Sequence, residues 1–341
     1  MKEQDVLELI HTSFTGLLHE GAKGFSNDGA LVLPNSGQRL AVSTDAFASD
    51  VDFRPFWGTA AQAGGRAIKQ NLSDLAAMGA QPLGFTWSLS ISHDWLNNSE
   101  GFQSFVHGAA QVCREHQLLL LGGDLGWQKE GFSCHITIIG ETHGAGLGHQ
   151  SAQPEESLWL SGPLGESHLG LSLIQQAHHA QPFLSDPQFQ TWVQNRSKQE
   201  RKWVERHLNG HHELGLGHHL NGLASACIDI SDGLSSDLHK ICRASGVGAS
   251  LELAPLVQHL PQTTPKQSQQ VEHAVLHGGE DFVLLFSVPK AKENELNSLI
   301  EAGFCLQKIG QTNTEKSQIT LHSAGCTKML HPLGWDAINL Y

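Results

Sequence analysis

The stretch Asn71-Leu72-Ser73-Asp74-Leu75-Ala76-Ala77-Met78-Gly79-Ala80 sets a carboxylate and a carboxamide inside an otherwise apolar segment, and the rest of the chain must supply their partners. Ile68, Leu72 and Leu75, with Ala60, Ala63, Ala67, Ala76 and Ala77, recur at the helical period and predict a buried helix. Thr59 suits its N-cap and Gly79 the left-handed residue that ends it. Asn71 and Asp74, three residues apart, share one face. A buried carboxylate is costly alone, so Asp74 requires a cation, a set of donors or water; purely local hydrogen bonding is the plainer alternative.

Composition narrows what this helix can serve. A chain of 341 residues suggests two domains, and the polar, Gly-rich stretch between Gly140 and Ser157 is the natural junction, giving residues 1–147 and 148–341. Thirty-four acidic against 21 basic residues give a net charge of -13, which argues against a nucleic-acid or anionic-membrane surface. Any anionic substrate then needs cations as intermediaries. The six cysteines form no Cys-x-x-Cys pair and read as reduced core residues. The N-terminus lacks a signal-peptide pattern and no apolar run approaches the roughly 18 residues of a membrane span, so a cytoplasmic location is expected.

Along the chain, Val6, Ile10, Phe14, Leu17 and Leu18 form a helical stripe, followed by a Gly-rich loop from Gly21 to Gly29 carrying Asn27 and Asp28. Leu31 to Leu33 and Leu40 to Ser43 read as strands joined by the turn Pro34 to Gly37, the second leading into Thr44-Asp45. Leu83 to Ile91 and Phe132 to Ile138 alternate as half-buried strands, and Phe102 to Val112 is a helix. Leu118 to Leu121 is all apolar, the pattern of a central strand, and runs into Gly122-Gly123-Asp124. In the second half, Leu158 to Ser161, Cys227 to Ile230, Phe282 to Val288, Leu306 to Ile309 and Ile319 to His322 are strands. Helices follow Gly165, Gly233 and Lys290, while residues 180–222 are polar and only partly helical.

Asp28, Asp45, Asp74, Asp124, Asp229 and Asp232 all fall at expected element ends or on the buried helix, where open α/β sheets build ligand sites. Two bare carboxylates at roughly 4 Å repel by about 4 kcal/mol at an effective dielectric near 20, so a converging set needs cations. Oxygen donors without nearby thiol or imidazole favour Mg²⁺, with Ca²⁺ second. Gly122-Gly123 and Gly278-Gly279 would let backbone approach a phosphate, and a helix opened by Ser231-Asp232-Gly233 would offer free amides to an anion. No Walker loop and no protein-kinase motif set is present.

Taken in order, Ser43-Thr44-Asp45, Asn71 to Gly79, Gly122-Gly123-Asp124, Asp229-Ile230-Ser231-Asp232-Gly233-Leu234 and Gly278-Gly279-Glu280-Asp281 resemble the thiamine-monophosphate kinase family over nearly the whole chain. That family belongs with aminoimidazole-ribonucleotide synthetase, selenophosphate synthetase and a hydrogenase-maturation protein. The resemblance implies a two-domain fold, α/β plus α+β, with the N-terminal sheet paired across a homodimer and the C-terminal domain covering nucleotide and substrate. It implies ATP- and Mg²⁺-dependent phosphorylation of thiamine monophosphate to thiamine diphosphate by in-line transfer. By position, Asp28, Ser43, Thr44, Asp45, Asp74, Asp124, Asp229 and Asp232 resemble Mg²⁺ ligands, with Asp74, Asp45 and Asp229 at the catalytic centre. Gly123, Asp124, His149 and Ser231 resemble ATP contacts, and Asp52, Glu280 and Trp335 stand at acceptor-binding positions.

The chain departs from the family pattern at named places. Asn27-Asp28 replaces Asp-Asp, Asp52 stands where a histidine is usual, Val106 where a tyrosine is, and His149 where an arginine is. His207-Leu-Asn-Gly-His-His replaces a His-x-x-Pro-x-Pro-Arg run. Two further readings follow: a related ATP-dependent enzyme with another acceptor, and a catalytically silent nucleotide- or metal-binding homologue. The histidines lack a zincin spacing and read as solvated loop residues.

Overall fold

The computed structural model describes residues 30–32, 39–97, 99–261, 264–323 and 325–336. The expected helix over Val6 to Leu18, the loop with Asn27 and Asp28, and the Pro34 to Gly37 turn lie outside them.

The first half forms a five-stranded sheet backed by helices. Its strands are β1 (Ala30–Val32), β2 (Arg39–Ala48), β3 (Gln81–Ile91), β4 (Leu119–Trp127) and β5 (Phe132–Thr142), in the order β1-β2-β5-β3-β4. Only the β3–β4 pair is parallel, as the helical crossover between them requires. The crossover holds α2 (His93–Asn97) and α3 (Ser99–Glu115); α1 (Ala60–Ala77) connects β2 to β3.

Two corrections to the sequence reading concern this sheet. Leu119 to Leu121 lie not in a central strand but on the sheet edge, where Leu119, Leu120, Leu121, Leu125 and Trp127 are 55–70 % exposed. The alternation of β3 is broken by register shifts at Pro82/Gly84 and Phe85/Thr86, whereas β5 alternates as expected.

The second half forms a seven-stranded sheet in the order β12-β11-β8-β10-β6-β9-β7. Its strands are β6 (Ser157–Leu160), β7 (Ala226–Asp229), β8 (Gly248–Glu252), β9 (Leu284–Val288), β10 (Gln307–Asn313), β11 (Ile319–Ser323) and β12 (Cys326–Met329). The helices are α4 (Glu166–Ala180), α5 (Asp186–Gln194), α6 (Lys198–Asn209), α7 (Leu214–Leu220), α8 (Leu234–Ser245), α9 (Leu253–Val257), α10 (Pro265–His277) and α11 (Leu296–Glu301). The polar stretch after residue 180 is thus ordered as three helices. Among the described residues no helix is long and apolar enough to cross a membrane. Cys134, Cys227 and Cys242 are buried as expected, but Cys305 and Cys326 are exposed.

α1 lies between the two sheets. Thr59 and Gln62 form a reciprocal capping box at its start, with bonds of 3.2 and 2.9 Å. At its end the amides of Gly79 and Ala80 bond back to Ala76 and Leu75, a Schellman motif with Gly79 at φ 64°. Ala63, Ala67, Ile68, Leu72 and Leu75 face the first sheet and pack with Phe47, Phe85, Ile136 and Ile138. A Cβ at Gly64 would stand 1.9 Å from the Phe105 carbonyl oxygen, and one at Gly108 1.9 Å from that of Ala61, so α1 and α3 touch backbone to backbone.

The other side of α1 faces the second domain. Gln62 and Lys69 bond to Asn209, Arg66 pairs with Glu280, Ser73 bonds to Asp229, and the Ala76 carbonyl lies against Gly217, whose Cβ would be 2.1 Å away. Positions 62, 66, 69, 73 and 76 advance by four and three, a single helical stripe. One helix therefore supplies a core face to each domain, and Ala76 and Ala77 continue that core into Leu216, Leu220, Leu284 and Phe286.

Candidate active site

The first cluster sits where α1 crosses β2. Period-two alternation puts Ser43 and Asp45 on the helix side of β2 and Thr44 on the other. Ser43 is 6 % exposed, and its hydroxyl donates to Asp74 Oδ2 at 2.5 Å. The exposed Thr44 instead donates to the Ile136 carbonyl at 3.0 Å and accepts from Thr137 at 3.1 Å, so its hydroxyl is not part of the cluster. Asn71 does not converge with Asp74: its amide nitrogen bonds back to Ala67, and among the described residues its buried Oδ1 has no donor.

The second cluster surrounds the end of β7 and the start of α8. Asp229, 1 % exposed, accepts from Ser73 Oγ at 2.6 Å. The Glu280 amide donates to the Ser231 carbonyl at 2.8 Å, and the Trp335 amide to the Asp232 carbonyl at 2.9 Å. Asp229, Ser231, Asp232, Glu280 and Trp335 are thereby gathered on one loop and its neighbours. Trp335 keeps 46 % of its surface exposed.

The amides of Ser231, Asp232 and Gly233 are not free for an anion, contrary to the sequence expectation. All three donate to Oδ2 of the buried Asp237, at 3.1, 3.1 and 3.0 Å. Lys240 binds Asp237 at 2.8 Å and Asp232 at 2.6 Å; burial works against its charge, but the two carboxylates outweigh it and push its pKa up. Gly279 and Gly123 likewise serve packing, whereas Gly122 faces open space. A Cβ at Gly279 would meet the Ser231 carbonyl at 2.3 Å, and one at Gly123 the Trp87 carbonyl at 2.3 Å.

Glu280 has its backbone in the left-handed region, φ 64°, and its carboxylate sits between two cationic or polar partners. Arg66, 3 % exposed, pairs with Oε1, and His207 Nδ1 lies 3.2 Å from Oε2. Burial opposes ionisation of Glu280, yet Arg66 and His207 prevail and hold its carboxyl at about 2. Burial first, then Arg66, lowers the His207 pKa, so the ring is neutral at neutral pH. Asp52 accepts from the Ala48 amide at 2.7 Å through its carboxylate and from Arg66 at 3.0 Å through its main-chain oxygen. Burial raises the pKa of Asp52, against the Ala48 amide and Arg66.

Two other predicted site residues, Asp124 and His149, lie apart. Asp45 and Asp124 are inside strands rather than at strand ends. In register, Asp45 faces Ile136, Ile136 faces Trp87 and Trp87 faces Gly123, which sets Gly123 and Asp124 three strands, about 14 Å, from Asp45. His149 is buried, and its carbonyl accepts from Ser245 at the far end of α8, roughly 16 Å along the helix from the Ser231 loop. A cleft of about 650 Å³ lined by His143, Ser151, His218 and Asn221 contains none of the predicted site residues.

The donors near Asp74 are hard oxygens, a set whose chemistry fits a hard divalent cation. Among the described residues no three carboxylate, imidazole or thiol groups come together around one point, and Asp28 lies outside those residues. Sequence reasoning missed Arg66, Ser73, His207 and Lys240. Arg66 and Ser73 could have been found as polar residues seven apart on a weakly charged helix. His207, taken as a solvated loop residue, is buried in α6.

The architecture is that of AIR synthase related proteins: residues 26–142 match the family model of the N-terminal domain and residues 153–322 that of the C-terminal domain. Within this class the chain belongs to the thiamine-monophosphate kinase family. It is 32 % identical to the thiamine-monophosphate kinase of Synechococcus elongatus over 97 % of this chain and 96 % of the relative, and 31 % identical to that of Escherichia coli K12 over 86 % and 84 %. A solved structure described as AaThiL complexed with AMPPCP and TMP superposes with a TM-score of 0.79 at 24 % identity, covering 99 % of this chain and 97 % of the other.

Proposed function

We propose that this chain transfers the γ-phosphoryl group of ATP to the phosphate of thiamine monophosphate, giving thiamine diphosphate. The observation that carries this reading is α1, which joins Ser43 and Asp74 in one domain to Asp229 in the other within a chain of this family. A phosphate acceptor is already ionised near neutral pH and needs no general base, so the protein's task is to position two polyanions and screen their charge.

Asp45, Asp74 and Asp229, with Asp28, would hold Mg²⁺, and Asp232 is a further candidate, whereas the Thr44 hydroxyl faces away from this cluster and Asp124 lies three strands from Asp45. When bound, such ions neutralise the phosphates and align the in-line displacement. Ser43 orients Asp74, and Ser73 orients Asp229, so both carboxylates are fixed before substrate arrives. Ser231, Gly123 and His149 are the candidate ATP contacts. Glu280 and the exposed face of Trp335 suit a cationic aromatic ring, whereas Asp52 presents acid near the acceptor.

The active form we infer is a homodimer. The exposed apolar edge of β4 supports it, because an uncovered strand of this composition is an aggregation template. A second copy docked there would cover Gly123 and Asp124 as well as the leucines. Residues 1–147 and 148–341 are taken as the two functional domains, and the compartment as the cytoplasm.

A coupled assay of ADP release with ATP, Mg²⁺ and a panel of acceptors tests the reading. ADP that depends on thiamine monophosphate is the expected result. Asp52 favours a second reading, the same scaffold with a different acceptor, and ADP release with another superfamily acceptor alone would establish that instead.

A further inference from the structure

Arg66 is an unusual residue for its place. It is a cation on a helix packed between two domains, 3 % exposed, and its Nε has no hydrogen-bond partner among the described residues. A guanidinium in such a position costs folding free energy unless its partners are fixed. Its two bonded nitrogens reach opposite sides of the domain boundary: one donates to the main-chain oxygen of Asp52 in the first domain, the other to Glu280 in the second.

Glu280, a third of whose side chain is exposed, is held by further contacts. Its amide is bonded to Ser231 and its backbone is in a conformation non-glycine residues rarely adopt. Its second carboxylate oxygen lies 3.2 Å from His207 Nδ1, which is also 3.2 Å from Ser167 Oγ. An ionised carboxylate can only accept, so His207 carries its proton on Nδ1 and points it at Glu280. His207 is itself anchored, since Asn209 of the same helix bonds Gln62 and Lys69 of α1.

We propose that Arg66 is a positioning residue for the acceptor site: with His207 as second support, it fixes the Glu280 carboxylate against the Asp52 turn, so that the pocket for the acceptor's cationic ring is complete only when the two domains are docked. The inference rests on the acceptor reading given above. Arg66 does not touch the transferred group; it acts through Glu280. Losing it leaves a half-buried carboxylate with His207 as its side-chain partner and frees the Asp52 turn, and both effects fall on acceptor binding rather than on the aspartates proposed to hold metal.

The test compares wild type with Arg66→Met, Arg66→Lys and Glu280→Gln in steady-state kinetics, alongside urea unfolding of the same proteins and of Arg66→Met/Glu280→Gln. Arg66→Met is expected to raise the KM for thiamine monophosphate about tenfold or more, with the KM for ATP unchanged and kcat within about threefold. Arg66→Lys should restore most of the loss by returning a cation. In urea, which needs no substrate, Glu280→Gln should lower the midpoint in the wild-type background and raise it in the Arg66→Met background. A fall in kcat with unchanged acceptor KM, or equal effects of Glu280→Gln in both backgrounds, overturns the proposal. Failure of wild type to use thiamine monophosphate overturns the acceptor reading and the site role built on it, while the urea comparison still decides whether Arg66 holds Glu280.

Discussion

Replacing Ser73 by alanine isolates one bond between the domains. Ser73 is fully buried, and its hydroxyl lies 2.6 Å from a carboxylate oxygen of Asp229, which is 1 % exposed. Alanine removes that donor where no water can replace it. A hydrogen bond to a charged group contributes about 1.5–3 kcal/mol. The better helix propensity of alanine returns at most about 0.5 kcal/mol, and the lost oxygen leaves less than a methyl-sized void. The net loss is therefore about 1–2.5 kcal/mol, or roughly 2–10 °C in midpoint for a domain of 150–250 residues. Scanning calorimetry of wild type, Ser73→Ala, Asp229→Asn and the double variant measures it. The single variants should be strongly non-additive, and Ser73→Ala should also lose turnover because Asp229 is no longer oriented. A midpoint within about 1 °C of wild type, or additive effects, would refute the claim that this bond ties the domains together.

Further outcomes follow from the same geometry. Asp74→Asn keeps a side-chain acceptor for Ser43 and should fold normally, yet turnover should be lost; an unchanged rate removes Asp74 from the catalytic centre. Glu280 has a folded-state pKa of about 2 against 4.5 for the free side chain, so its stabilisation is complete above about pH 4.5 and lost as pH falls through about 2. The gap in urea midpoint between wild type and Glu280→Gln should shrink over that range, and a gap that widens contradicts the pairing with Arg66. Leu125→Lys places a charge on the exposed edge of β4. Light scattering should then report a monomer in place of a dimer, and a persisting dimer assigns the contact to another surface.

Much of the fold was legible because local chemistry and tertiary role agree. The ends of α1 follow from Thr59 and Gly79, and β5 alternates because one face is buried and the other is not. The edge strand was misread for a physical reason: leucines on an exposed sheet edge have the same composition as leucines buried in a sheet centre. The aspartates stand out in the sequence as candidates, but sequence does not carry the register that puts Asp124 three strands from Asp45. Nor does it carry contacts such as Arg66 with Glu280, which lie 214 residues apart. The amides of the Ser231 loop looked free because nothing local indicates that Asp237, on the following helix, turns back to accept all three.

The most direct test of the central claim is ³¹P NMR of the purified protein with ATP, Mg²⁺ and thiamine monophosphate. The thiamine monophosphate singlet should give way to the paired resonances of thiamine diphosphate as ADP accumulates, and omitting Mg²⁺ should prevent both changes. ADP and inorganic phosphate appearing while the thiamine monophosphate signal stays intact would contradict it.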